Sequence, residues 1–120
     1  MNHKVRSVVY RAYVNDSVGD ASILVIAASK GNLPLLQSFI SAGAEDVNIQ
    51  NRSGWTALMW AAFNGHLSCV EYLVSRGAEV KTRNSYGDTA LMLAKSRGCL
   101  SCVEYLASHG ADVNIQNNDG

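Results

Sequence analysis

Cys99 and Cys102 stand three residues apart in the run CLSCVEYL, residues 99–106. That spacing suits a redox dithiol or half of a zinc site, and it also arises when two thiols fall on one turn of a helix core. Residues 66–73 read HLSCVEYL, the same octapeptide with His66 in the place of Cys99, so the second copy keeps one cysteine and loses the pair. A zinc site needs about four convergent ligands, and His66, Cys99, Cys102 and His109 are spread along the chain. The expectation is therefore no metal and no cofactor. Other catalytic patterns are also missing: no phosphate-cradling glycine loop, no His-Glu-x-x-His and no serine elbow can be found, which reads as a chain that is not an enzyme.

Composition narrows the classes further. The chain has 120 residues, 48% hydrophobic and 17% charged, which fits one small globular unit rather than a disordered tail. Ten basic and ten acidic residues cancel, and no basic block supplies the footprint of a nucleic-acid binder. No run approaches the roughly 20 apolar residues of a membrane span. Three cysteines, an odd number with no leader-like segment before them, read as a reducing compartment, cytoplasmic with the nucleus left open.

The octapeptide belongs to a longer echo. Residues 54–80 return as residues 87–113, with Gly54, Thr56, Leu58, Ala61, Gly65, Leu67, Val70, Leu73, Gly77 and Val80 all recurring 33 positions later. A weaker copy covers residues 22–47, and Asn117 and Gly120 open a further one. Such a period marks stacked supersecondary units. Thr56, Thr89 and, less strongly, Ser22 can cap a first helix, which Gly31, Gly65 and Gly98 stop. A second helix follows, with Pro34 in the first turn of one copy. Its buried stripe is Leu67, Val70, Leu73 and Val74 in one copy, and Leu100, Val103, Leu106 and Ala107 in the next. Gly43, Gly77 and Gly110 end it, and a polar connector leads on. Before the repeats, Val5, Val8, Val9, Ala12 and Tyr13 make the stripe of an amphipathic helix that would seal the end of a stack.

These residues resemble the ankyrin repeat, whose pattern runs roughly Asp-Gly-x-Thr-Pro-Leu-His-x-Ala-Ala, Gly-His-x-x-x-Val-x-x-Leu-Leu, Gly-Ala-Asp-Val-Asn. The resemblance covers about residues 20–120. It implies an all-α solenoid of helix-turn-helix units with projecting hairpin turns, divided at about 20–52, 53–85 and 86–118, with residues 1–19 as cap and linker. Thr56-Ala57-Leu58-Met59 and Thr89-Ala90-Leu91-Met92 depart from Thr-Pro-Leu-His, a variant similar to repeats of large protozoan arrays. Thioether replaces imidazole there, with apolar packing gained and a polar tie lost. In the ankyrin pattern Cys69 and Cys102 take a buried position of the second helix, where a free thiol packs as a small hydrophobe. Cys99 heads that helix, whose positive end lowers a thiol pKa.

The resemblance also implies a function: binding of a protein partner along the concave groove formed by the hairpin tips and the outer side of the first helices. The repeat phase puts Trp55, Trp60, Phe63 and Asn64 there, flanked by Ser29 and Lys30 on one side and by Asp88, Ser96 and Arg97 on the other. Trp60 and Phe63 can equally be packing residues, whereas Trp55 lies nearer the hairpin tip. Glu71 and Glu104 belong to the solvent side of the second helices. The alternative function is a structural spacer that binds nothing. Self-association through an uncapped C-terminal repeat is a further expectation.

Overall fold

The computed structural model describes residues 21–43 and 46–119; the expected N-terminal helix lies outside them. Six helices follow in order: α1 (Ala21–Lys30), α2 (Leu33–Ser41), α3 (Ala57–Phe63), α4 (Leu67–Ser75), α5 (Ala90–Ser96) and α6 (Leu100–Ser108). There is no strand among the described residues. The helices pair as α1 with α2, α3 with α4 and α5 with α6. The inner helices α1, α3 and α5 stack on one another, as do the outer helices α2, α4 and α6. This is the all-α repeat solenoid that the resemblance to the ankyrin repeat implies.

The helix boundaries have local causes. Thr56 is extended (φ −106°, ψ 169°) and its hydroxyl accepts from Met59 N at 3.2 Å; Thr89 does the same for Met92 N at 3.3 Å. Each side chain satisfies one of the free N–H groups of a helix start. The first repeat differs from expectation. Helix α1 already includes Ala21, so Ser22 lies inside it rather than at its cap. Asn32 caps α2 by accepting from Leu35 N, with Pro34 in the first turn. Gly31, at φ +70°, turns the chain from α1 to α2, and a Cβ there would lie 2.6 Å from His66 Nδ1. Only glycine meets both demands.

One core runs the length of the stack, through Leu24, Leu36, Leu58, Leu73, Leu91 and Leu106, with Ala27, Ala28, Ala61, Ala62 and Ala94 letting the inner helices approach closely. Met59 is buried in that core, in the position where the ankyrin pattern has histidine. Cys69 and Cys102 are buried with it. The stripe expected on the second helices holds for Val70 and Leu73 and, on α6, for Leu106 with Val103 half-buried; it fails on α6 at Leu100, which is 73% exposed, and at Ala107, which is also exposed. The reason is the neighbour. Leu67 packs partly against the core with α6 beside α4, and among the described residues no helix stands on the far side of α6.

Candidate partner-binding face

Between the helix pairs, the connectors are held by asparagines. Asn51 Oδ1 accepts from Ser53 N and Trp55 N, and Asn51 N donates to Trp55 O. Asn84 repeats the arrangement with Tyr86 N, Asp88 N and Asp88 O. Successive turns are then stitched together: Ser85 N donates to Ser53 O, Asn118 N to Tyr86 O, and Gln50 Nε2 to Arg83 O. On the side of the outer helices, Asn48 accepts from Glu79 N and donates to Gly77 O. Sequence reasoning missed these asparagines; the signal was there in the recurrence of Asn51, Asn84 and Asn117 at intervals of 33.

The turn that Asn51 fixes carries Trp55 onto the outer side of α3. Its ring lies 4.4 Å from that of Trp60, tilted by 33°, and 5.5 Å from that of Phe63 in an edge-to-face arrangement. Trp60 and Phe63 are 6.3 Å apart, also edge to face. Such geometries suit the ring quadrupole. Arg97, just past the end of α5, places its guanidinium carbon 4.6 Å from the centre of the Phe63 ring, a cation–π contact. Four residues expected at the face thus form one cluster, partly open to solvent. Trp55 is not the free-standing aromatic that its place near the turn suggests, because it packs on Trp60 and on the edge of the core.

The other four take different parts. Ser29 is buried, and its carbonyl accepts from Asn64 Nδ2 at 3.0 Å and His66 Nε2 at 2.9 Å. Ser29 and Asn64 therefore tie the first repeat to the second. Asp88 Oδ1 accepts from Asn117 Nδ2 at 2.8 Å, and Lys30 ends α1 in an exposed position. Lys30, Asn64 and Arg97 are equivalents of one another along the repeats, so the row changes from a cation, to an amide used inside the protein, to a cation over an aromatic ring.

The thiols differ in kind. Burial pushes Cys69 up, with a smaller opposing effect from Ser68. Cys102 is pushed up to about 12, first by burial and then by hydrogen bonding and charge from Cys99. Burial also acts to raise Cys99, but hydrogen bonding from the side chains and backbone of Cys102 and Ser101 outweighs it and leaves this thiol below its ordinary value. Among the described residues no group of three or more His, Cys, Asp or Glu could hold a metal ion, and no helix is long and apolar enough to cross a membrane.

Comparison with known proteins agrees with this architecture. Residues 24–117 match the family model "Ankyrin repeats (3 copies)". Over 60 residues the chain is 43% identical to ankyrin repeat domain-containing protein 29 of Danio rerio, covering 50% of this chain and 20% of that protein. Over 70 residues it is 44% identical to ankyrin repeat and SAM domain-containing protein 6 of Rattus norvegicus, covering 57% of this chain and 8% of that one. The chain thus matches a small part of these relatives. The crystal structure of the human ASB11 ankyrin repeat domain superposes with a TM-score of 0.73 at 31% identity, covering 78% of this chain and 42% of that chain. Ankyrin repeats are in general protein-interaction modules, typically non-enzymatic binding scaffolds. With its threefold helix-turn-helix stack and the family match across most of its length, the chain belongs to the ankyrin-repeat family.

Proposed function

We propose that this chain binds a protein segment through the face formed by the connector turns and the outer side of α1, α3 and α5, with Trp55, Phe63 and Arg97 as the central contacts. The observation that supports this most strongly is a hydrogen bond given up in the middle repeat. Asn117 donates to Asp88, but one repeat earlier Trp55 stands where Asp88 would be, and Asn84 Nδ2 is buried without a hydrogen-bond partner. An unmade buried hydrogen bond costs about 1–3 kcal/mol. Departures from local consistency gather at functional sites, and the substituted residue is tryptophan, a type enriched in binding hot spots along with arginine.

The setting belongs to the same proposal: an intracellular, cytoplasmic protein, in keeping with three free thiols. Self-association at the α6 end is part of it too, through exposed Tyr86, Leu100 and Val113.

Quantitative capture from cell extract tests the face. Trp55→Ala, Phe63→Ala and Arg97→Ala should each lose the same set of captured proteins that the parent chain retains. Glu71→Ala and Glu104→Ala, exposed on α4 and α6, should retain it. Tyr72 is unsuitable as a control, since it packs on the core and its hydroxyl lies 3.4 Å from Ser41 Oγ. Capture unchanged in all five variants would leave the spacer reading in place of the binding one.

A further inference from the structure

Asn32, His66 and Cys99 hold the same place at the head of the three outer helices, with nearly the same backbone angles: φ −83°, ψ 80°; φ −91°, ψ 81°; and φ −84°, ψ 86°. At Asn32 this geometry sends the side chain across the first turn to the residue three further on, Leu35. At Cys99 the residue three further on is Cys102. Its thiol is fully buried on the core side of α6, while Cys99 is partly exposed beside the open position of Gly65, with its sulfur 3.5 Å from Ser101 Oγ. Residues three apart on a helix bring their Cβ atoms within about 5–6 Å, and a disulfide draws them to about 3.5–4.5 Å. Closing the bond asks for a backbone shift of about 1–2 Å in the first turn of α6, where Cys99 already stands outside the helical angles.

We infer that Cys99 and Cys102 form a thiol–disulfide exchange pair, with Cys99 as the entry thiol for a small-molecule disulfide of the glutathione type and Cys102 as the resolving thiol. The Cys99 thiolate attacks one sulfur of the disulfide, forming a mixed disulfide and releasing one thiolate. Cys102 then gives up its proton to that thiolate, attacks the Cys99 sulfur and displaces the second thiolate, which takes a proton from water. The protein loses two electrons and the small disulfide gains them, leaving two small thiols. The electrostatics run in the same direction. The Cys99 thiol is the lowered one; burial holds Cys102 high first, and the smaller part that comes from the hydrogen bond and charge of Cys99 is removed once Cys99 is capped, so the first step eases the second. Small disulfide never needs to reach the core. Cys69, in the same helix position one repeat earlier, has His66 at the head of its helix instead, and serves as an internal control.

The test treats the folded, reduced 120-residue chain with oxidised glutathione at neutral pH, quenches it with acid and maps the peptides by mass spectrometry. The expected product has lost two hydrogens, with a Cys99–Cys102 bond and Cys69 untouched. Cys99 should react about threefold or more faster than a cysteine in an unstructured peptide. Cys102→Ala, or Cys102→Val if the alanine variant does not fold, should stop at a stable glutathione adduct on Cys99. Cys99→Ser should leave Cys102 unmodified. Glutathione accumulating on Cys99 of the parent chain without ring closure would overturn the pairing. Reaction at Cys99 no faster than in the peptide, or modification of Cys102 in Cys99→Ser, would overturn its role as the entry thiol.

Discussion

Asn117 donates its side-chain N–H to Asp88 Oδ1 at 2.8 Å, and the equivalent bond from Asn84 has no acceptor because Trp55 occupies the matching position. The orientation of the Asn84 amide is fixed by its oxygen, which accepts from Tyr86 N and Asp88 N. Its Nδ2 is therefore left as a buried donor without an acceptor, since the tryptophan that replaces aspartate one repeat earlier carries no acceptor oxygen.

That relationship can be measured by comparing two substitutions at one site. Trp55→Ala and Trp55→Asp both lose the ring contacts with Trp60 and Phe63, but only aspartate supplies the acceptor. Trp55→Asp should be the more stable of the two by about 1 kcal/mol in urea unfolding. Equal midpoints would show that the Asn84 donor costs nothing where it is.

Cys99→His should stabilise the chain. His66 Nε2 donates to Ser29 O at 2.9 Å across the first two repeats, and Phe63 and Cys99 are the equivalents of Ser29 and His66 across the next two. The glycine at 65 leaves the space that Gly31 leaves for His66. A gain of about 0.5–1.5 kcal/mol is expected, read as a higher unfolding midpoint, with His66→Cys losing a similar amount. A gain from Cys99→His that survives Gly65→Ala would contradict the geometry.

Stability should fall in alkali, and the sign follows from the raised thiols. Cys102 stays protonated in the fold up to about 12, against an ordinary 9.0. Above pH ~9 the unfolded chain therefore binds fewer protons than the folded one, and unfolding becomes easier by up to about 1.4 kcal/mol per pH unit until the folded thiol also ionises. Cys69 acts in the same direction. Cys99, lowered in the fold, acts the other way: what it contributes is present above its ordinary value and lost as pH falls through its folded one. Urea midpoints measured across the alkaline range should decline less steeply for Cys102→Ala than for the parent, and parallel declines would be inconsistent with a raised Cys102.

Leu100→Glu addresses the exposed end. The parent side chain is 73% exposed, so the substitution should change stability by less than about 0.5 kcal/mol. Sedimentation should show concentration-dependent association of the parent and little or none of the variant. Association of equal strength in both would move the self-contact away from α6.

The face proposed for binding was only partly legible in the residues. Repeat phase put Trp55, Trp60 and Phe63 on the same helix side, since the period of an inner helix and its connector is local information. It also put Ser29, Asn64 and Asp88 there as surface contacts. In the fold Ser29 is buried with its carbonyl as a stitch, Asn64 spends its amide on that carbonyl, and Asp88 holds Asn117. A side chain that hydrogen-bonds across about 33 residues of sequence leaves no mark on local spacing, so its occupation could be known only from the neighbouring repeat.

The sequence alone determined the six described helices and the caps at Thr56 and Thr89, because glycine, threonine and apolar residues at fixed intervals act within one repeat, while the burial of Cys69 and Cys102 was what the resemblance to the ankyrin repeat implied. It could not determine where a repeat finds its cover. Leu67 and Leu100 are the same residue in the same octapeptide, yet the first packs partly against the core and the second stands open. Burial is a property of what lies alongside, and only the tertiary stack supplies α6 as a neighbour to α4 and sets Arg97 over Phe63.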